Sequence, residues 1–122
     1  MSYENPMYIN YNFPAFALDT TTAVMSVRGP TGKQGILIDC SCIVTVSTTT
    51  AATVITVGSA ADADAFGTLT VAVVTAASTA SYKAVITDTD ANIMAADTTV
   101  IVASDAGAAA GDGDLTITIA WF

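Results

Sequence analysis

Three pairs of carboxylates set two residues apart, Asp62/Asp64, Asp88/Asp90 and Asp112/Asp114, have the spacing best suited to chemistry in this chain of 122 residues. Each pair lies in or beside a loop. Two carboxylates so placed can chelate a hard cation such as Ca²⁺, which takes about six to eight oxygen ligands. Loop aspartates also form Asx-turns, in which the side chain caps nearby backbone N–H groups. None of the pairs extends into a longer calcium-binding motif. Asp62, Asp64, Asp112 and Asp114 therefore stand as calcium candidates at most, and turn capping is the reading that the pattern favours. No metal and no cofactor is expected.

The rest of the chemical inventory is thin. The chain has no His, and its one Glu is Glu4. That removes the commonest general base and every Ser-His or Cys-His nucleophile arrangement. Gly32-Lys33 superficially resembles part of a phosphate-binding loop, but it lacks the spacing and the Ser/Thr after the Lys. Cys40 and Cys42 lie two apart on one predicted strand, so their side chains point the same way and do not bridge each other. With no third Cys and no His, a two-cysteine zinc site lacks the further ligands it needs. Buried free thiols are expected instead. The chain reads as a protein without enzymatic activity.

Charge narrows the partners. Eleven acids face three bases, Arg28, Lys33 and Lys83, for a net charge of −8. Such a surface repels phosphate backbones and anionic lipid, so neither nucleic acid nor membrane is an expected partner. Mean hydropathy is +0.60, yet no apolar run approaches the ~18 residues of a spanning helix. Hydrophobic residues make up 52% of the chain and charged residues only 11%, against about 25% charged in ordinary soluble domains. A chain so poor in charge is expected to cover part of its surface with copies of itself or with a larger partner. The opening MSYENPMYINYNF lacks the basic and apolar regions of a signal peptide, which points to synthesis in the cytoplasm.

The elements that position these residues are strands. Ile36, Ile38, Cys40, Cys42, Val44 and Val46 alternate with Asp39, Ser41 and Thr45, predicting one long half-buried strand with the even positions inward. Leu69, Val71 and Val73 repeat the pattern, as do Leu115, Ile117, Ile119 and Trp121, which places Trp121 in the core. Shorter β-branched runs at 23–28, 53–57, 81–86 and 98–103 read as strands too. Residues 90–96 are the one place where a helical turn competes. Seven or eight short strands separated by Gly/Pro/Asp turns predict an all-β fold, an antiparallel β-sandwich or jelly roll, over residues 21–122.

Residues 1–20 read differently. Tyr3, Tyr8, Tyr11, Phe13 and Phe16 crowd there with Pro6, Pro14 and three Asn, without strict strand or helix periodicity. The segment is expected to be an extended N-terminal arm, packed on its own domain or on a neighbour. Deleting residues 1–14 is expected to abolish partner binding and leave the domain folded.

Arg28-Gly29-Pro30-Thr31-Gly32-Lys33-Gln34-Gly35, followed by a long strand, is similar to a turn of small tailed-phage virion proteins. The likeness continues through Val57 to Gly67 and Ala95 to Thr99. It ends at the closing strand Asp114–Phe122 with its aromatic pair. Over about residues 23–122 the chain resembles the capsid decoration, or cement, proteins of tailed phages. The resemblance implies a jelly-roll-like homo-oligomer, typically a homotrimer, bound to the major capsid protein on the outside of an icosahedral shell. There it would staple capsomer junctions against the pressure of packaged DNA, as a virion component. Contact candidates are the aromatics Tyr3, Tyr8, Tyr11, Phe13 and Phe16, with Arg28 and Lys33 beside the Gly-Pro turn; pairing of both cations with the chain's own acids is the competing reading. The alternative function is a head-fibre or other adhesive, carbohydrate-binding sandwich, for which Phe66 is the one candidate platform. A calcium-stabilised surface-layer domain is a third reading.

Overall fold

The structure, a computed structural model, describes residues 7–20, 24–72, 81–83, 93–107 and 109–122. Nine strands are described: β1 Met7–Ala17, β2 Val24–Arg28, β3 Gly35–Val46, β4 Thr53–Gly58, β5 Gly67–Val71, β6 Ser81–Lys83, β7 Ile93–Met94, β8 Thr99–Ser104 and β9 Asp112–Trp121. The first sheet runs β1-β9-β3-β6, with β7 also paired to β3; the second runs β2-β8-β4-β5. Every pairing is antiparallel. The predicted all-β sandwich is therefore the observed architecture.

The core lies between the two sheets. From the first come Leu115, Ile117, Ile119 and Trp121 of β9, with Leu37, Cys40, Cys42 and Val44 of β3. From the second come Val27, Val100, Val102, Ile55, Val57, Leu69 and Val71. Their alternation with Thr and Ser is what makes these segments strands: β-branched residues fit the pleat, and one face must leave water. Among the described residues no buried side-chain N or O lacks a hydrogen-bond partner. Thr53, wholly buried, donates its hydroxyl to the Leu18 carbonyl at 2.8 Å.

The long strand β3 departs from the simple alternation expected of it. Leu37 is inward, Ile38 is exposed, and Cys40, Cys42 and Val44 are inward again. The register against β9 shifts between Leu37 and Asp39, and once more between Val44 and Val46. An extra residue at a bulge flips every side chain beyond it to the other face. Ile36, Ile38 and Val46 thus leave the core positions predicted for them. The competing helical turn at 90–96 is also corrected where it is described. Ile93 and Met94 pair with Ile36 and Gly35, and burial of Met94 in the core fixes that segment as strand.

Residues 7–20 belong to the sandwich rather than to a separate arm. Strand β1 pairs with β9 along its whole length, from Met7 opposite Trp121 to Ala17 opposite Asp112. Ile9, Tyr11 and Phe13 pack against the core while Asn10 and Asn12 face out. A bulge between Phe13 and Phe16 then changes the phase, so Phe16 and Leu18 also point inward. Ala15 sits there with φ of 54°, a conformation unfavourable for a residue with a Cβ. Its N–H donates to the Asp114 carboxylate at 3.2 Å, which ties the bulge to β9. Removing residues 1–14 would strip most of an inner-facing strand, so that truncation cannot leave the domain intact as expected.

Candidate assembly surface

The Gly-Pro turn has a structural reason for its glycines. It joins β2 to β3 and closes through the Lys33 N–H, which donates to the Pro30 carbonyl at 3.1 Å. A Cβ on Gly29 or on Gly35 would stand 2.6 Å from Trp121 ring carbons. The two glycines therefore flank the indole, whose Nε1–H donates to the Tyr11 hydroxyl at 3.0 Å. Asp97, itself in the left-handed region, accepts the Gly32 N–H at 3.0 Å and holds the turn to the β7–β8 connection. Gln34 and Phe122 exchange two backbone hydrogen bonds of 2.9 Å. One end of the sandwich is thus assembled from the turn, the start of β3, β7 and the C-terminal residue.

Across the outer face of the first sheet at this end runs a row of apolar side chains. Tyr8 stands opposite Ala120, Ala120 opposite Ile36, and Ile36 opposite Ile93. Directly opposed residues share a face, so the row crosses four strands, roughly 14 Å at the usual strand spacing. Tyr8 is 63% exposed, Ile93 52% and the bulged Ile38 next to the row 48%, while between them Ile36 is half-buried and Ala120 is only 4% exposed. Met7 and Phe122 are exposed at the same end. Of the cations, Lys33, half-buried, ends the turn at this end, whereas Arg28, opposite Thr99 at the end of β2, faces outward from the second sheet. Beyond the row the face turns polar, with the Thr118 hydroxyl donating to Asn10 Oδ1 at 2.6 Å.

The contact candidates from sequence fall into three groups. Tyr8 lies on the apolar row and Lys33 in the turn at the same end, while Arg28 faces outward from the second sheet opposite Thr99. Tyr11 and Phe13 are half-buried on the core side, and the Tyr11 hydroxyl is engaged by Trp121. Phe16, 1% exposed, is a core residue and not a contact, because the bulge turns it inward. Tyr3 lies outside the described residues. Sequence reasoning missed Ile36, Ile38 and Ile93. Only the strand register places them on the surface, and an Ile-Leu-Ile run shows no phase of its own. Phe66 is 6% exposed, so it is no platform for a glycan.

The aspartates act as staples for turns and bulges. Asp105 Oδ1 accepts from the Val54 and Gly107 N–H groups at 3.0 and 2.9 Å. The Asp62 backbone closes its loop, accepting the Ser59 N–H at 2.8 Å. Asp64, like Asp62, is exposed in that loop. Asp112 and Asp114 share the outer face of β9. Among the described residues no three acidic or thiol side chains form a group able to hold a metal ion; Asp88 and Asp90 lie outside them. Both cysteines are free and buried. Burial, and then the charges of Cys42 and Asp39, push the Cys40 thiol up to about 12. Burial, and then Asp114, push the Cys42 thiol up to about 11. Neither is a nucleophile at neutral pH.

No family model and no curated protein sequence matches the chain. Among solved structures, a chain of the cyanophage Pam1 capsid asymmetric unit has a similar fold. The TM-score is 0.54 at 17% identity, over 99% of this chain and 88% of that one. At that identity the likeness is one of fold.

Proposed function

We propose that this chain is a structural virion protein that decorates the outer face of an icosahedral phage shell and stabilises capsomer junctions by binding the major capsid protein. The observation that carries the reading is a fold match spanning nearly the whole of both chains, to a component of the cyanophage Pam1 capsid asymmetric unit. Three features support it. The net charge of −8 suits the outside of a shell better than its DNA-facing interior. A two-sheet sandwich in which every described buried side-chain polar atom has a hydrogen-bond partner suits a load-bearing part. The row that crosses the first sheet from Tyr8 to Ile93, with the Lys33 turn at its end, offers apolar contact beside a cation, the composition of an interface core and its edge.

The action is mechanical. The apolar row leaves water against the shell, and Lys33 in the adjoining turn pairs with an acidic group at its edge. A single contact of this kind is modest, so strength comes from several copies engaging at once. The test is co-sedimentation of the purified chain with shells of the phage that encodes it, stripped of the protein. The chain should pellet with the shells and raise their melting temperature, while Ile36→Asp/Ile93→Asp stays in the supernatant. No co-sedimentation of the unaltered chain would overturn the proposal.

A further inference from the structure

We infer that Trp121 is a positioning residue: fixed by the Tyr11 hydroxyl and bracketed by Gly29 and Gly35, its indole sets the Lys33 turn beside the apolar row. The inference rests on the proposed function only for what that turn and row meet. Behind the row lies a second one on the same strands. Met7 stands opposite Trp121, Trp121 opposite Gly35, and Gly35 opposite Met94. Successive residues of a strand point to opposite faces, so Trp121 lies on the inner side of the sheet next to the outward Ala120. It is 2% exposed.

The turn is cut to fit the indole. Of its glycines only Gly32, with φ of 76°, has a backbone that calls for glycine; Gly29 and Gly35 lie outside the left-handed region. The ring calls for those two. A Cβ on Gly29 would stand 2.6 Å from Cδ2, Cε2 and Cε3 of Trp121, and one on Gly35 would stand 2.6 Å from Cζ3. Both ends of the turn therefore close on the six-membered ring, with Lys33 in the stretch between them. Where the ring lies decides where the turn sits.

The ring's own place is set by a directional bond. A buried indole N–H needs an acceptor, and the Tyr11 hydroxyl supplies it at 3.0 Å. Tyr11 is anchored in turn by packing against the core from β1. Beyond Trp121, the two backbone bonds between Gln34 and Phe122 keep the start of β3 against the end of β9. The Asp97 carboxylate then holds the tip of the turn through the Gly32 N–H. The chain of contacts runs from Tyr11 to the indole, from the indole to the two glycines, and from them to Lys33 and Ile36. Apolar packing alone would leave the ring free to tilt and the turn free to follow it.

The positioning is read on the isolated chain and its use on stripped shells. Tyr11→Phe deletes only the acceptor. Amide NMR signals of residues 31–36 should move, and the emission of the chain's single Trp should change. Shell affinity should fall about fivefold, the scale of one hydrogen bond. Lys33→Ala should weaken binding to a similar extent, and the double variant should bind no worse than either single one, because both remove the same contact. Gly29→Ala, which presses on the ring from the turn, should repeat the loss; adding Trp121→Phe, a smaller ring, should restore part of it. Leu69→Ala, in the core of the second sheet, should lower stability but leave the 31–36 signals and the affinity alone. Signals unmoved by both Tyr11→Phe and Gly29→Ala would overturn the inference. So would losses that multiply in the Tyr11→Phe/Lys33→Ala chain, or an equal loss of affinity from Leu69→Ala. Moved signals in a chain that ignores shells would uphold the positioning and sink the proposed function alone.

Discussion

The two sheets share one core but present opposite faces to solvent. On the second sheet the outward positions include Ser26, Arg28, Thr56, Thr68, Thr70 and Thr99 with the half-buried Val54 and Ile101, and among the described residues Val24 is its one large exposed apolar side chain. On the first sheet Tyr8, Ile38, Ile43 and Ile93 are all exposed. Both sheets satisfy the same inner requirement, so the outer difference does not come from folding. A Thr/Ser surface keeps an acidic, charge-poor chain in solution, whereas a row of isoleucines and a tyrosine lowers solubility unless something covers it. On the proposed function, the first sheet is the face that meets the shell.

The largest effect should fall on what the two faces share. Ile117→Ala in central β9 removes a wholly buried side chain and should cost about 2–5 kcal/mol in denaturant unfolding, with both outer faces lost together. Next comes the contrast itself. Ile36→Asp/Ile93→Asp should weaken shell binding at least about tenfold, or about 1.4 kcal/mol, with the melting temperature nearly unchanged. Thr56→Asp/Thr70→Asp on the second sheet should leave binding as it was. Equal losses from the two variants would erase the distinction between the faces.

Smaller effects probe the staples and the thiols. Asp105→Ala frees the Val54 and Gly107 N–H groups and should cost about 1 kcal/mol of stability, with shell binding unaltered. The thiols ordinarily titrate near 9.0 but are held up to about 12 for Cys40 and about 11 for Cys42. The folded chain therefore binds more protons than the unfolded chain above pH 9. Their contribution is complete below pH 9 and is lost as pH rises toward 12. Unfolding midpoints measured from pH 8 upward should fall in the unaltered chain and fall less in Cys40→Ala/Cys42→Ala.

Much of the sandwich is legible in the sequence, and the parts that are not share a cause. Strand β9 reads directly because Leu115, Ile117, Ile119 and Trp121 hold one phase against Thr116 and Thr118. The thiol pair reads directly too, since residues two apart on a strand point together. Strand β3 misleads because Ile36, Leu37 and Ile38 are apolar in both phases, and only pairing with β9 sets where the bulge falls. Strand β1 hides its alternation behind the Pro14–Ala15 bulge, which carries Phe16 inward out of phase with Phe13. The surface row follows from these same registers: Ile36 and Ile93 are neighbours only once β7 has paired with β3. Bulges are long-range facts, fixed by the partner strand.

The most direct test of the central claim is a cryo-EM map of a virion from the phage that, on the proposed function, encodes this chain. The account predicts density for the sandwich on the outside of the shell, with Tyr8, Ile36 and Ile93 of the first sheet against the capsid subunits and the Thr-rich second sheet facing solvent. Absence of the protein from the particle, or density seated through the second sheet, would contradict it.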